Sequence, residues 1–250
     1  MVQGYMRYVC LMAAILVITS ARADREQDFL LLDAAKEGKT GTVRALLEEG
    51  AMVNVRNRFG NTPLLYAARG GHTETVVLLI EDGADVNRPN LRSISPLAEA
   101  VYRRHADIVR ILLDAGARVD YVDNAGKTAI VYAAGNGDLE IVELLLDRDI
   151  NVNEHYGNDL TILMWAAGYG HDETVSFLLD QGADPDLQDD RGATALMMAA
   201  QGGHTGTVQV LLGAGAKTSI KDNEGKTALV HAKAAGHAEV VSLLENAGTP

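Results

Sequence analysis

The sequence predicts an all-α solenoid of seven 33-residue helix-turn-helix units joined by hairpin-like loops. Three observations carry that expectation. A hydroxyl residue recurs at Thr62, Ser95, Thr128, Thr161, Thr194 and Thr227, each 33 positions after the last. A valine column at Val43, Val76, Val109, Val142, Val175, Val208 and Val241 keeps the same spacing and adds a unit ahead of Thr62. Each valine is followed three residues later by leucine, from Leu46 to Leu244. A fixed period of this length marks stacked supersecondary units that share one continuous core.

In chain order, the first 23 residues read as an export signal. Arg7 supplies the positive start, Tyr8 to Ile18 is an apolar run of eleven, and Ala21-Arg22-Ala23 is a small-x-small cleavage pattern. Met6 could equally be the true start. Eleven apolar residues fall short of the roughly 20 needed to span a bilayer as a helix, so stable membrane insertion is not expected. Lipidation at Cys10 is disfavoured because Val9 precedes it and apolar residues follow. The mature chain is expected to run from Asp24 to Pro250, with units starting near 28, 61, 94, 127, 160, 193 and 226.

The second unit shows why each element forms. Thr62-Pro63 sets a helix start, since the hydroxyl caps free N–H groups and proline suits the first helical position. Leu64, Ala67 and Ala68 make one apolar stripe, and Gly70-Gly71 ends that helix. A second helix starts near His72, buries Val76, Leu79 and Ile80, and stops at Gly83 in a left-handed conformation. The polar stretch from Ala84 to the next Ser-Pro forms a projecting loop. The first unit has Phe29-Leu30 in place of Thr-Pro, and the last has Lys233 and Glu245 at apolar columns; both are expected to cap the stack against water. In the fourth unit Asp149-Ile150 replaces Gly-Ala and should reshape the end of the second helix. At about 10 Å per helix layer, seven units should span about 60–70 Å.

Composition limits the function classes. Aromatics are only 5% of residues, which suits slim, closely packed helices. Cys10 is the sole cysteine, so a chain cut after Ala23 has neither a disulfide nor a thiolate metal site. The net charge is −12 and becomes −14 when Arg7 and Arg22 leave. Such a surface repels phosphate backbones, so nucleic acid is a poor candidate partner and a basic or charge-indifferent protein suits it better.

Thr62-Pro63-Leu64 with Ala67-Ala68, Gly71-His72, and Gly83-Ala84-Asp85-Val86-Asn87 resemble the ankyrin repeat. The resemblance covers about residues 28 to 250, with several motif columns in phase. It implies a curved stack of helix pairs whose loops and first helices line a concave face, and a non-catalytic role in binding another protein. It also implies that His72, His105, His171, His204 and His237 are structural, at the family's Gly-His position. Geometry agrees, because layers about 10 Å apart cannot share a metal with bonds of about 2 Å.

Catalytic patterns are missing. The chain has no Gly-x-Ser-x-Gly and no His-Glu-x-x-His, and Gly225-Lys226-Thr227 lacks the earlier glycine of a phosphate loop. No enzyme activity, cofactor or metal is expected, and His155 and His231 stand outside any ligand pattern.

Departures from the shared columns are where a partner site should lie, because stacking already accounts for the columns. The third unit departs most: Tyr102, Arg103 and Arg104 follow Ala100-Val101, Glu99 takes a column of Tyr66, Tyr132, Trp165 and Met198, and Leu91-Arg92 sit at the loop tip. A binding cluster and a solvated arginine pair beside a half-buried tyrosine both fit these residues. Arg58 and Phe59 from the second unit, and Tyr156, Asn158, Met164, Trp165 and Tyr169 from the fifth, complete the candidate face. Trp165 and Tyr132 fit a core role equally well. The expected protein is a monomeric scaffold in the periplasm or outside the cell, protecting or assembling a protein partner; the resemblance to exported bacterial members adds a role in stress defence. The alternatives are an immunity-type inhibitor of a toxin or hydrolase and a secreted effector that binds host proteins.

Overall fold

The computed structural model describes residues 26–247, and the expected export segment 1–23 lies outside the described residues. Fourteen helices form seven hairpins across that span. They are α1 (26–36) with α2 (Thr40–Glu48), α3 (Pro63–Gly70) with α4 (Thr73–Glu81), α5 (Pro96–Tyr102) with α6 (Ala106–Asp114), and α7 (Ala129–Asn136) with α8 (Leu139–Leu146). The series continues with α9 (Ile162–Gly168) and α10 (Asp172–Asp180), α11 (Ala195–Gly202) and α12 (Thr205–Gly213), and α13 (Ala228–Ala235) and α14 (Ala238–Ala247). First helices stack on first helices and second helices on second helices. Among the described residues no strand forms, and one isolated bridge joins Tyr156 and Leu160.

The core is a single apolar column running from Leu31 to Leu244. Valines 43 to 208 of the repeated column are fully buried, and so are the alanine pairs 67–68, 133–134, 166–167 and 199–200. Alanine at these places lets neighbouring first helices approach closely, while each buried Val or Leu contributes about 1.5–3 kcal/mol. At the last unit Val240 takes the inner position and Val241 is half-buried. Ile80 is also only half-buried. The two ends differ: Phe29 and Leu30 leave apolar side chains exposed at the first unit, whereas Lys233 pairs with Glu245 at 2.7 Å at the last.

The hydroxyl column caps first helices at Thr62, Ser95, Thr161 and Thr194, whose side chains accept the N–H three residues on. Thr128 and Thr227 occupy the same place without a cap bond. The histidine column has a definite structural role. Each Nε2–H donates to a backbone carbonyl in the preceding unit: His72 to Lys36 at 3.0 Å, His105 to Arg69 at 3.3 Å, His171 to Gly135 at 2.9 Å, His204 to Gly168 at 3.1 Å and His237 to Gln201 at 3.0 Å. The ring lies against a left-handed glycine of that preceding unit, so a Cβ on Gly71 would sit 2.8 Å from His105, and one on Gly203 would sit 2.6 Å from His237.

One junction breaks this rule on both sides at once. Arg104 stands where the glycine should be, at φ 63°, and Asp138 stands where the histidine should be. Asp138 leaves room for the Arg104 side chain and accepts its guanidinium at 2.5–2.6 Å. An ion pair thus replaces the histidine–carbonyl staple between the third and fourth units. A further irregularity follows in the fourth unit. Asp149 adopts φ 58° where Gly83, Gly116, Gly182 and Gly215 lie at 84–87°, and α8 ends at Leu146. The expected reshaping is therefore a helix that stops one residue early.

Candidate functional site

The loop tips are built by one residue type acting twice. The side-chain oxygen of Asp123 accepts the N–H groups of Ala125 at 2.8 Å and Lys127 at 3.0 Å, closing the tip. Asn57, Asn90, Asp189 and Asp222 do the same in their units. Several also reach their own first helix: Asn57 donates to the Tyr66 hydroxyl at 2.7 Å, Asp123 accepts from Tyr132 at 2.5 Å, and Asp222 accepts from His231 at 2.7 Å. Backbone bonds join neighbouring tips, Leu91 N–H to the Phe59 carbonyl at 3.0 Å and Asn124 N–H to the Arg92 carbonyl at 3.3 Å. The result is a ribbon of tips fixed above the row of first helices, with a groove between.

The first cavity in this groove has a volume of about 490 Å³ and centres on the third unit. Arg69, Glu99, Tyr102 and Tyr132 come from first helices, Arg103 follows the end of α5, and Arg92, Ile94 and Asp123 come from the loops. Its floor is internally neutralised. Glu99 is only 5% exposed and takes the Arg69 guanidinium at 2.5 Å, which holds Arg69 still more firmly in its charged form. Burial, and then the Asp123 carboxylate, push the Tyr132 phenol well above its usual range, so it stays a donor. Tyr102 meets Tyr132 edge to face, centroids 5.6 Å apart at 83°, and Arg103 lies 5.6 Å over the Tyr102 ring. Arg92 and Arg103 form the rim, and among the described residues neither has a carboxylate partner.

The second cavity, about 430 Å³, lies between the fifth and sixth units. Leu160, Met164, Trp165, Tyr169 and Met198 make it more apolar, with Arg191 and Gln201 at its edge. Trp165 stacks on Tyr169 at 6.2 Å and 13°. Arg191 is held by Asp189 at 2.7 Å and does not offer a free charge. Lys127 bridges the two cavities, its ammonium 4.3 Å over Trp165 and 5.4 Å over Tyr132.

The structure distributes the sequence-predicted face over the two cavities and the exposed tips. Tyr102 and Tyr169 are 54% and 58% exposed, and Arg92, Arg103 and Trp165 reach the cavities. Arg58, 4.7 Å over Phe59, and Leu91 stay at exposed tips beyond the first cavity. Three residues are corrected. Glu99 is a buried ion-pair member and not an exposed anchor. Met164, 1% exposed, packs inward as the third residue of α9, its sulfur accepting the Thr161 N–H. Tyr156 occupies the column that elsewhere holds Asn or Asp, so its ring packs on the core and the tip closes instead by a short turn through Gly157–Asp159. Burial there, and then Glu154, raise the Tyr156 phenol to about 12. Asn158 sits in that turn at φ 63°, and its carbonyl accepts the Asp190 N–H.

Sequence reading missed Arg69, Asp123 and Met198 as lining residues, and Lys127 as the cation between the two cavities. Arg69 was reachable, because it lies 33 residues before Tyr102 in the same column. Lys127 was not, since its reach across two aromatic rings depends on how the tip folds back. Among the described residues no group of three or more His, Cys, Asp or Glu could hold a metal ion, and no helix is long and apolar enough to cross a membrane.

A family model described as ankyrin repeats in three copies matches residues 10–90, 89–156 and 163–249. Among solved structures, the crystal structure of the human ASB11 ankyrin repeat domain is similar at 28% identity and a TM-score of 0.81, covering 88% of this chain and 98% of that one. Comparison with curated protein sequences gave no match.

Proposed function

Because this chain belongs to the ankyrin-repeat family, typically a non-catalytic protein-interaction scaffold, we propose that it binds a partner protein through the groove between its loop tips and first helices. The observation that carries this is the run of arginine, lysine and aromatic side chains from Arg103 to Tyr169, exposed or half-buried along two cavities of about 490 and 430 Å³. Arginine and aromatic residues in partly enclosed positions are the usual anchors of protein interfaces. The repeated columns are consumed by stacking, so these departures are free to specify a partner. We further propose that the protein is exported and acts in the periplasm or outside the cell, where it protects or assembles its partner. Arg7, the apolar run to Ile18 and Ala21-Arg22-Ala23 support export.

The test is capture from a periplasmic extract of the native host with residues 24–250, beside a variant carrying alanine at Arg58, Phe59, Tyr102 and Arg103. A partner retained by the wild type and lost from the variant supports the reading. Equal retention by both would remove the early part of the groove from the interface.

A further inference from the structure

The groove's charge runs against the rest of the molecule. On a chain of net charge −12, many cations are matched to carboxylates, as Arg104 is to Asp138, Arg148 to Asp114 and Lys217 to Asp186. Arg92, Arg103 and Lys127 are not. Arg103 and Lys127 lie instead over aromatic faces, which leaves their polar heads open and partly stripped of water. A cation in that position gains most from an incoming carboxylate, and a guanidinium can take it in a bidentate pair. The floor beneath cannot supply one, because Glu99 and Asp123 are already bonded to Arg69 and Tyr132.

Spacing adds a second requirement. Trp165 lies two helix layers from the arginine rim, about 20 Å at about 10 Å per layer. That is about six residues of extended chain at roughly 3.3 Å each.

We infer that the groove takes an extended acidic segment of the partner, placing a pair of carboxylates on Arg92 and Arg103 and a large apolar side chain against Trp165 and Tyr169. This rests on the groove being the protein-binding surface. The intervening backbone runs past Lys127. Salt weakens the acidic end, while the apolar end is largely indifferent to it.

The experiment is a selection from a displayed random dodecapeptide library on the full mature chain, followed by binding of the enriched peptide in solution. Wild type is compared with Arg92→Glu/Arg103→Glu and with Tyr169→Ala, all checked by thermal melting since the three side chains are exposed. Enriched peptides should carry two acidic residues and, about six positions away, an aromatic, leucine or methionine. The enriched peptide should bind the charge-reversed chain at least ten-fold more weakly, and a version with lysines in place of its acids should reverse that preference. A library without acidic enrichment, a peptide indifferent to charge reversal, or displacement by single-stranded oligothymidylate would overturn the inference. If the capture experiment still loses its partner from the alanine variant while acidic enrichment is missing, the binding function stands and only the peptide class fails. Capture unaffected by the alanine variant, in contrast, rejects the site itself.

Discussion

The junction between the third and fourth units offers a quantitative test of how the repeats are joined. Everywhere else a left-handed glycine faces a histidine that bonds back across the junction; here Arg104 faces Asp138. Putting histidine at Asp138 alone drives an imidazole towards the Arg104 Cβ, at the 2.6–2.8 Å approach seen for a Cβ built on Gly203 or Gly71. Overpacking of that kind costs about 1–3 kcal/mol, and the lost ion pair adds up to about 1 kcal/mol, because Arg104 is largely exposed. Arg104→Gly alone relieves about 1 kcal/mol of left-handed strain but strands a nearly buried carboxylate, so it should be close to neutral. The double change Arg104→Gly/Asp138→His removes the clash, relieves the strain and gives the imidazole the Tyr102 carbonyl as acceptor, a bond of about 1 kcal/mol. It should be at least as stable as wild type, with a coupling energy of about 2–3 kcal/mol in a double-mutant cycle. Urea denaturation of the four proteins measures it. Additive effects, within about 0.5 kcal/mol, would refute the idea that the two departures compensate each other.

Three further outcomes are expected. Asp149→Gly should raise stability by about 0.5–1 kcal/mol in the same urea assay, since φ 58° is strained for a side chain there. Tyr156 should ionise late: its folded value of about 12 lies above the unfolded value of 10, so stability is complete below about pH 10 and lost as pH rises through 12. Tyrosinate absorbance should show this delayed ionisation, and Tyr156→Phe should reduce the alkaline loss of stability. Mass spectrometry of protein recovered from its native host should find Asp24 as the first residue; a retained Met1 or Met6 would reject the export reading.

Much of the fold was legible because a period of 33 multiplies weak local signals. One Thr-Pro or one Gly-His would prove little, but six hydroxyl residues and seven valines in phase fix both helices and the loop of each unit. The tips were less legible. Asp123 reads as a turn former, yet its second bond to Tyr132 is made by the tertiary fold. Tyr156 looked like an exposed aromatic because it follows a polar loop, when its place in the Asn/Asp column means that it must fill space below the tip. Glu99 misled in the opposite direction. Its charge suggested exposure, and only its partner Arg69, in the preceding unit, explains how it tolerates burial. Compensation across a junction, as between Arg104 and Asp138, was visible as two oddities but not as one arrangement, because the residues belong to different units.

The central claim is that the groove, and not the outer face of second helices, meets the partner. Photo-crosslinking in the native host addresses it without knowing the partner's name. A crosslinking amino acid would replace Tyr102 or Tyr169 in the groove, or Val77 on α4 or Arg110 on α6. All four side chains are exposed, so each tolerates the change. A shared adduct of one mass at Tyr102 and Tyr169, with none at Val77 and Arg110, is the predicted result. Adducts at Val77 and Arg110 with bare groove positions would contradict it.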